Sequence, residues 1–257
     1  MQSDRRLDER TLSKGEVRSA ALVANRAFFS DPFFRFLSPG DRLSARGLTI
    51  FFRANIAHIG EDARIVTVRG AHDAIVGMAA WLPTNRYPQS VSTQVAQVPG
   101  TLRALYRRPR ALVAGNNYLA AIAKSHPKEL HWYLYLLVAD PSIQRSGVGT
   151  MLMQDGLAHV DEEGGGGYLE TQNEDNLAYY RRFGYELRDT LRPVKQGPPL
   201  YTMWRPPRQP IEPSICSSIK RDHSTAYSMG SVRVTGSMKP FTIMPMAWLS
   251  VSPRLMR

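Results

Sequence analysis

Residues 134–150 read LYLLVADPSIQRSGVGT, and this stretch carries the clearest structural signal in the sequence. A run of apolar residues, typical of a buried strand, ends at Asp140-Pro141, and a turn carrying Gly147 and Gly149 then opens a helix. Such a turn directs several backbone N–H groups to one point beside the positive end of the helix dipole, which suits a phosphate group. The alternative interpretation is that the two glycines only permit the helix to pack closely on the strand.

This turn differs from the two common nucleotide-binding loops. The sequence has no G-x-x-x-x-G-K-[ST] motif, and no G-x-G-x-x-G followed by an acidic residue about 20 positions later. The glycine run 164–167 follows a predicted helix over 146–162, and glycine commonly ends helices. We therefore interpret this run as a helix end and not as a phosphate loop.

A second motif lies downstream, over Asn176–Tyr185. Its pattern predicts a short helix that Asn176 can cap and Gly184 can end. Tyr180 falls inside this helix, and taken alone a tyrosine there is more often a packed core residue than a catalyst.

The two motifs together resemble the GNAT superfamily of acyl-CoA N-acyltransferases. The matched residues, in order, are Asp140-Pro141, Gln144-x-x-Gly147-x-Gly149, Leu169-Glu170-Thr171 and Asn176-x-x-x-Tyr180-x-x-x-Gly184-Tyr185. Three elements are similar to those of the branch that contains puromycin N-acetyltransferase. They are the aromatic start of the strand at His131-Trp132, the Leu-Glu-Thr element and the final Tyr180-x-x-x-Gly184-Tyr185. The resemblance is strong over 128–205, weaker over 10–125 and absent over 206–257. Arg145-Ser146 stands where relatives more often have Gly and then Arg.

The resemblance implies an α/β fold, more closely an α+β fold with a mixed sheet. Its central twisted sheet has about six to seven strands, is flanked by helices and is splayed after the fourth strand, here about 134–139. The sequence also predicts a first helix with a Ser13/Glu16 capping box, ended by Asp31-Pro32. A second helix is predicted over 43–59, and a helical stretch over 91–124 with breaks at Pro99-Gly100 and Pro109.

The resemblance implies acetyl-CoA as the acyl donor, with no metal ion. The open backbone of Leu137, Val138 and Ala139 would bind the pantetheine arm, and an N–H near Val138 would polarise the thioester carbonyl. Asn176 would contact the donor from its short helix. The pyrophosphate would be bound by Gln144, Arg145, Ser146, Gly147, Val148, Gly149 and Thr150.

The resemblance also implies catalytic residues. An alkylamine with a pKa near 10 must lose a proton before it can attack. Glu170 is the first candidate for the base, and His131, Tyr133 and Tyr135, on one strand face, could instead supply a water relay. Tyr180 would protonate the departing thiolate, since a phenol is acidic enough to donate to a thiolate of ordinary basicity.

The sequence contains no motif that defines the acceptor pocket. The aromatic stretch 28–36 and the broken helices over 91–123 would form its walls. Asp31, Glu61 and Asp62 are candidate anchors for a cationic acceptor.

Composition sets the remaining limits. The chain has 257 residues, one cysteine and a formal charge of +11, of which residues 206–257 contribute +5. A single cysteine excludes an intrachain disulfide and a multi-cysteine zinc site. No apolar run approaches the roughly 20 residues that a membrane helix needs. We predict an acetyltransferase domain over 1–205, a disordered or loosely packed basic tail over 206–257, and a cytoplasmic monomer or homodimer without membrane partners.

The leading hypothesis is an N-acetyltransferase that acts on a primary amine of a small molecule. Its alternatives are a protein or peptide N-acetyltransferase on the same fold, and a non-catalytic acyl-CoA-binding regulatory module. The positive charge also allows a nucleic-acid-binding protein, with a patch built from Arg103, Tyr106, Arg107, Arg108 and Arg110. Such a run is more often a solvated helix face, and we expect no specific nucleic-acid partner.

Overall fold

The computed structural model describes residues 5–37, 45–60, 62–84, 86–87, 89–105, 109–143 and 146–208. Nearly all of the predicted tail lies outside this part of the chain. So do Gln144 and Arg145 of the predicted phosphate loop, Glu61, and three members of the proposed basic patch, Tyr106, Arg107 and Arg108.

The described residues form one mixed sheet, as predicted. Its strand order is β1-β2-β3-β4-β5-β7-β6, and every neighbouring pair is antiparallel except β4 and β5. The seven strands of this part of the chain are β1 (Arg6–Glu9), β2 (Arg64–Arg69), β3 (Ile75–Pro83), β4 (His131–Ala139), β5 (Gly166–Thr171), β6 (Glu186–Leu191) and β7 (Leu200–Arg205).

Helices cover both faces of the sheet, and each face has its own apolar cluster. The first face carries α1, α2, α3 and α5, with α4 packed on α3, and the second carries α6 and α7. Their bounds are α1 (Lys14–Phe28), α2 (Pro32–Leu37), α3 (Ala45–Ala57), α4 (Val91–Leu105), α5 (Pro109–Ser125), α6 (Val148–Glu162) and α7 (Asp175–Arg181).

The capping signals at the two ends of α1 were predicted correctly. Ser13 caps α1, and its backbone N–H donates in return to Glu16 Oε2 at 2.9 Å. Asp31 follows α1 and also begins α2, because its Oδ1 accepts the N–H of Phe33 at 2.9 Å. The Asp31 side chain is therefore engaged at the start of α2 and buried, at 4% exposure, whereas Asp62 forms a surface ion pair with Arg86.

The predicted break at Pro99-Gly100 was wrong, because α4 runs through both residues. Packing explains the exception. A Cβ atom on Gly100 would lie 2.2 Å from Ala54 Cβ, so the absence of a side chain lets α4 lie directly on α3. This close contact stabilises a helix that an internal proline weakens by removing one hydrogen bond.

The sheet is splayed between β4 and β5. The two strands pair over only three rows, from His131–Gly166 to Tyr133–Tyr168. One residue farther along, β4 contains a β-bulge against β3: Leu134 pairs with Trp81 and Leu136 with Ala80, which leaves Tyr135 as the extra residue. A bulge bends its strand and increases its twist, so the separation starts where the bulge lies.

Candidate active site

The open edge of β4 presents backbone groups toward the side of β5. Asp140 N–H donates to Val76 O of β3 at 2.8 Å, and the β3–β4 register is regular from Ala139 to Leu136. Hydrogen-bonding directions alternate along an antiparallel pair, so Val138 also faces β3, while Leu137 and Ala139 turn their N–H and C=O groups toward the gap. The amide predicted near Val138 would therefore be that of Leu137 or Ala139.

The N-terminus of α6 lies just beyond this edge. Gly147 is its N-cap, with φ = 83°, and no side chain caps the helix. The first intrahelical bond runs from Met151 N–H to Gly147 O at 2.9 Å, so the amides of Val148, Gly149 and Thr150 have no acceptor within the helix. These three donors and the helix dipole favour an anion at this point.

Two arginines distant in sequence support the turn that carries these donors. Arg5 Nη1 donates to Ser146 O at 2.6 Å, which brings a positive charge beside the turn. Arg26, at the end of α1, donates through Nε to Asp140 Oδ2 at 3.1 Å. Ser142 N–H donates to the other Asp140 oxygen at 3.0 Å, so Asp140 links α1 to the turn.

Gly147 allows a direct test of this turn. We expect Gly147→Ala to destabilise the protein by about 1–2 kcal/mol and to weaken CoA binding, because a Cβ strains a left-handed residue. Gly15→Ala is the matched control. Both positions leave open space for a Cβ atom, but only Gly147 has a positive φ. Thermal melting and CoA titration measure both effects, and equal melting temperatures of the two variants would contradict the prediction.

Glu170 lies on β5, two residues beyond the last pair with β4. It alternates with Leu169 and therefore faces the same side as Tyr168, whose ring belongs to the first apolar cluster. Glu170 is 2% exposed, and its Oε1 has no hydrogen-bond partner among the described residues. Burial raises its pKa to about 8, although the hydroxyls of Tyr133 and Tyr168 act in the opposite direction.

Tyr180 lies on the opposite face of the sheet. Its ring belongs to the second apolar cluster and packs on Tyr185, with ring centroids 5.8 Å apart. The side chain is fully buried, and no described residue hydrogen-bonds to its Oη. Burial raises the pKa of Tyr180 well above its usual value, so the phenol stays protonated.

Asn176 connects α7 to the end of β5. It lies in the first turn of the helix and not at the cap position, which Glu174 occupies. Its Nδ2 donates to Thr171 Oγ1 at 3.0 Å. This bond fixes α7, and with it Tyr180, against the strand that carries Glu170.

Comparison with known proteins agrees with this geometry. Residues 51–185, more than half of the chain, match the model of the acetyltransferase (GNAT) family. The chain belongs to the GNAT family. The predicted family and enzyme class, an acyltransferase, are confirmed, and so is the predicted fold.

Solved GNAT structures have the same fold. One from Corynebacterium glutamicum, described as histone acetyltransferase HPA2 and related acetyltransferase, has a TM-score of 0.56 and 23% identity over 80% of this chain and 98% of its own. The polyamine N-acetyltransferase of Drosophila melanogaster, which forms N-acetylagmatine, has a TM-score of 0.51 and 14% identity over 77% of this chain and 99% of its own.

Among the described residues of the GNAT chain, His126 also borders the candidate site, although the sequence did not suggest it. Its Nε2 lies 3.1 Å from Nε2 of His131, which is 2% exposed. Of the residues proposed for a relay, Tyr133 borders Glu170, whereas the Tyr135 hydroxyl donates to Asn55 of α3 at 3.4 Å. No sequence pattern pointed to His126, because it stands in a short connection ahead of Pro127.

Two further findings concern the described part of the GNAT chain as a whole. None of its helices combines the length and apolarity needed to cross a membrane. Its histidine, cysteine and acidic side chains do not assemble into a group of three or more that could bind a metal ion.

Proposed function

We propose that this GNAT protein transfers the acetyl group of acetyl-CoA to a primary amine of a small molecule, by direct attack on the thioester. The observation that carries the proposal is the opening between β4 and β5, with a buried carboxyl group on one face and a buried phenol on the other. The Drosophila enzyme supports it in part, because the same fold there acts on a small amine.

The residues at the opening fit the chemistry of the donor. The amides of Leu137 and Ala139 can bind an amide-containing arm as an added strand would. The α6 donors, from Val148 to Thr150, and Arg5 suit the pyrophosphate, and Asn176 remains a proposed contact from α7. Acetyl-CoA, when bound, supplies an activated acyl group. The proposed binding set also includes Gln144, Arg145, Ser146 and Gly147.

Each catalytic residue has one proton to move. Glu170 takes a proton from the incoming ammonium and thereby exposes the lone pair that attacks. A backbone N–H of the open β4 edge stabilises negative charge on the carbonyl oxygen as the amine adds. Tyr180 donates its proton to the departing sulfur, and the second proton that leaves the nitrogen restores the phenol, while Glu170 returns its proton to solvent. The acetyltransferase unit in this proposal is residues 1–205, acting in the cytoplasm.

A thiol-release screen with acetyl-CoA tests the proposal. The acceptors are aminonucleosides, aminoglycosides, polyamines and short peptides, and we expect turnover with a small amine. Turnover with peptides alone would replace the proposal by a peptide acetyltransferase. Stabilisation by CoA without thiol release from any amine would favour a binding module. Mass spectrometry of the acceptor, which must gain one acetyl group, excludes simple thioester hydrolysis.

A further inference from the structure

Arg5 stands just ahead of β1 and differs from its neighbours Arg6 and Arg69. Arg6 pairs with Asp73 at 2.7 Å, and Arg69 pairs with three carboxylates. Arg5 is half-buried and has no carboxylate partner among the described residues. Its Nη1 donates to Ser146 O at 2.6 Å, while Nε and Nη2 have no acceptor in the described part of the chain. A half-buried cation with unused donors is suited to an anionic ligand.

The pairing of the sheet explains how Arg5 reaches the turn before α6. One row of paired residues runs from Leu7 of β1, across β2 and Gly77 of β3, to Ala139 of β4. Because β1 and β4 run in opposite directions, the residues that precede Leu7 lie level with those that follow Ala139. Gly77 also lies against α6, since a Cβ atom on it would be 2.4 Å from the first side chain of that helix. Arg5 is therefore placed where β4 ends and α6 begins.

The carbonyl that Arg5 binds belongs to the residue directly before Gly147, the N-cap of α6. Ser146 itself brings no charge to this point, and its Oγ donates to Ile143 O at 2.5 Å. Arg5 thus adds a full positive charge beside the free amides at the start of α6. Its Nε and Nη2 form a planar fork that matches two oxygens of one phosphate group. The amides and the guanidinium together suit a ligand with more than one negative charge, such as a diphosphate.

We propose that Arg5 binds the diphosphate of acetyl-CoA through Nε and Nη2, while its Nη1 stays on Ser146 O. The inference rests on the proposed function and deepens it, because it assigns part of the donor site to a residue that precedes the first strand. Arg5 is a binding residue for the donor and takes no part in the proton transfers. The bond from Nη1 holds the guanidinium before the donor arrives, so less side-chain freedom is lost on binding.

This contact couples donor binding to β1. The strand lies at the edge of the sheet and pairs with β2 over four rows, from Arg6 to Glu9. Coupling of binding free energies is reciprocal, so a segment that stabilises the bound donor is itself stabilised by the donor. We therefore expect CoA to slow the hydrogen exchange of the β1 amides in the wild type, and to slow it less in the variant Arg5→Gln.

Calorimetric titration with CoA tests the contact. Arg5→Gln is expected to weaken CoA binding about tenfold or more, because hydrogen bonds from a charged donor to a phosphate are among the stronger ones. The affinity for 3′-dephospho-CoA, which keeps the diphosphate, should fall by the same factor. Arg6→Gln is the matched control: it removes the same charge one residue later, from an exposed side chain paired with Asp73, and should leave CoA affinity within about twofold.

Nitrogen NMR of the wild type separates a direct contact from mere support of the turn. The Arg5 Nε–H signal, identified by its absence from Arg5→Gln, should shift when CoA is added and stay in place with pantetheine, which has no phosphate. A signal that CoA leaves unchanged, equal CoA affinities of the Arg5 and Arg6 variants, or a loss that disappears with 3′-dephospho-CoA would overturn the inference alone. A wild type that binds CoA with the expected pattern but releases no thiol with any amine would support the inference and overturn the proposed function. A wild type that does not bind CoA would overturn both.

Discussion

Tyr180→Phe is expected to lower kcat about 100-fold or more while leaving the affinity for CoA unchanged. The phenol is the proposed proton donor to the departing sulfur, and a positioned acid contributes at least that much. Without it the thiolate must leave unprotonated. Because burial holds the pKa of Tyr180 well above its usual value, the loss should be the same at every pH below 10.

The substitution Tyr180→Phe should not destabilise the protein, so a loss of activity can be assigned to catalysis. The Tyr180 hydroxyl has no hydrogen-bond partner among the described residues, so its removal breaks no bond and relieves a buried polar group. The melting temperature should stay equal or rise. Tyr179→Phe is the control, since Tyr179 is its chain neighbour, is also buried and lacks a described partner at its hydroxyl. Equal kcat values for the two variants would remove Tyr180 from the mechanism.

Glu170→Gln is expected to lower kcat/KM by about 100-fold or more, because the glutamine cannot accept the ammonium proton. The wild-type rate should rise with pH toward the Glu170 pKa of about 8, as the carboxylate forms. In the variant this rise should disappear, and only the ionisation of the acceptor amine should remain. A pH series of kcat/KM measures both effects, and a retained rise near pH 8 would assign the base elsewhere.

The same substitution should stabilise the protein at high pH. The folded-state pKa of Glu170 lies above the ordinary glutamate value, so the folded state binds a proton that the unfolded state releases. Wild-type stability therefore falls as the pH rises from about 4.5 toward 8. Glutamine carries no charge, so the variant should melt at a higher temperature than the wild type above pH 8. Glu129→Gln is the control, because Glu129 is exposed and its pKa is lowered.

The local structure of the candidate site was predictable where it depends on residues close together in the sequence. Gly147 and Gly149 indicate the turn. A left-handed N-cap residue such as Gly147 favours glycine, and the amides that follow it at the start of the helix are free to bind a ligand. The face of Glu170 follows from strand alternation with Tyr168 and Leu169. The capping box at Ser13 likewise depends on residues three positions apart.

The remainder depends on contacts that no local pattern encodes. Arg5 reaches Ser146 across 141 positions, and Arg26 reaches Asp140 across 114. His126 reaches the site through its contact with His131 of β4. The continuity of α4 through Pro99 depends on the close approach of Gly100 to Ala54 of α3. The identity of the amide facing the gap required the register of β3 and β4.

The extra residue at Tyr135 has a thermodynamic consequence. Since the bulge lies in the chain itself, the parting of β4 from β5 is present in the free protein. Leaving the Leu137 and Ala139 amides without a strand partner costs free energy. This cost lowers the stability of the folded state and does not reduce the affinity for the donor. Donor binding then needs no strand separation, so its rate should be limited by encounter and not by a slow opening step.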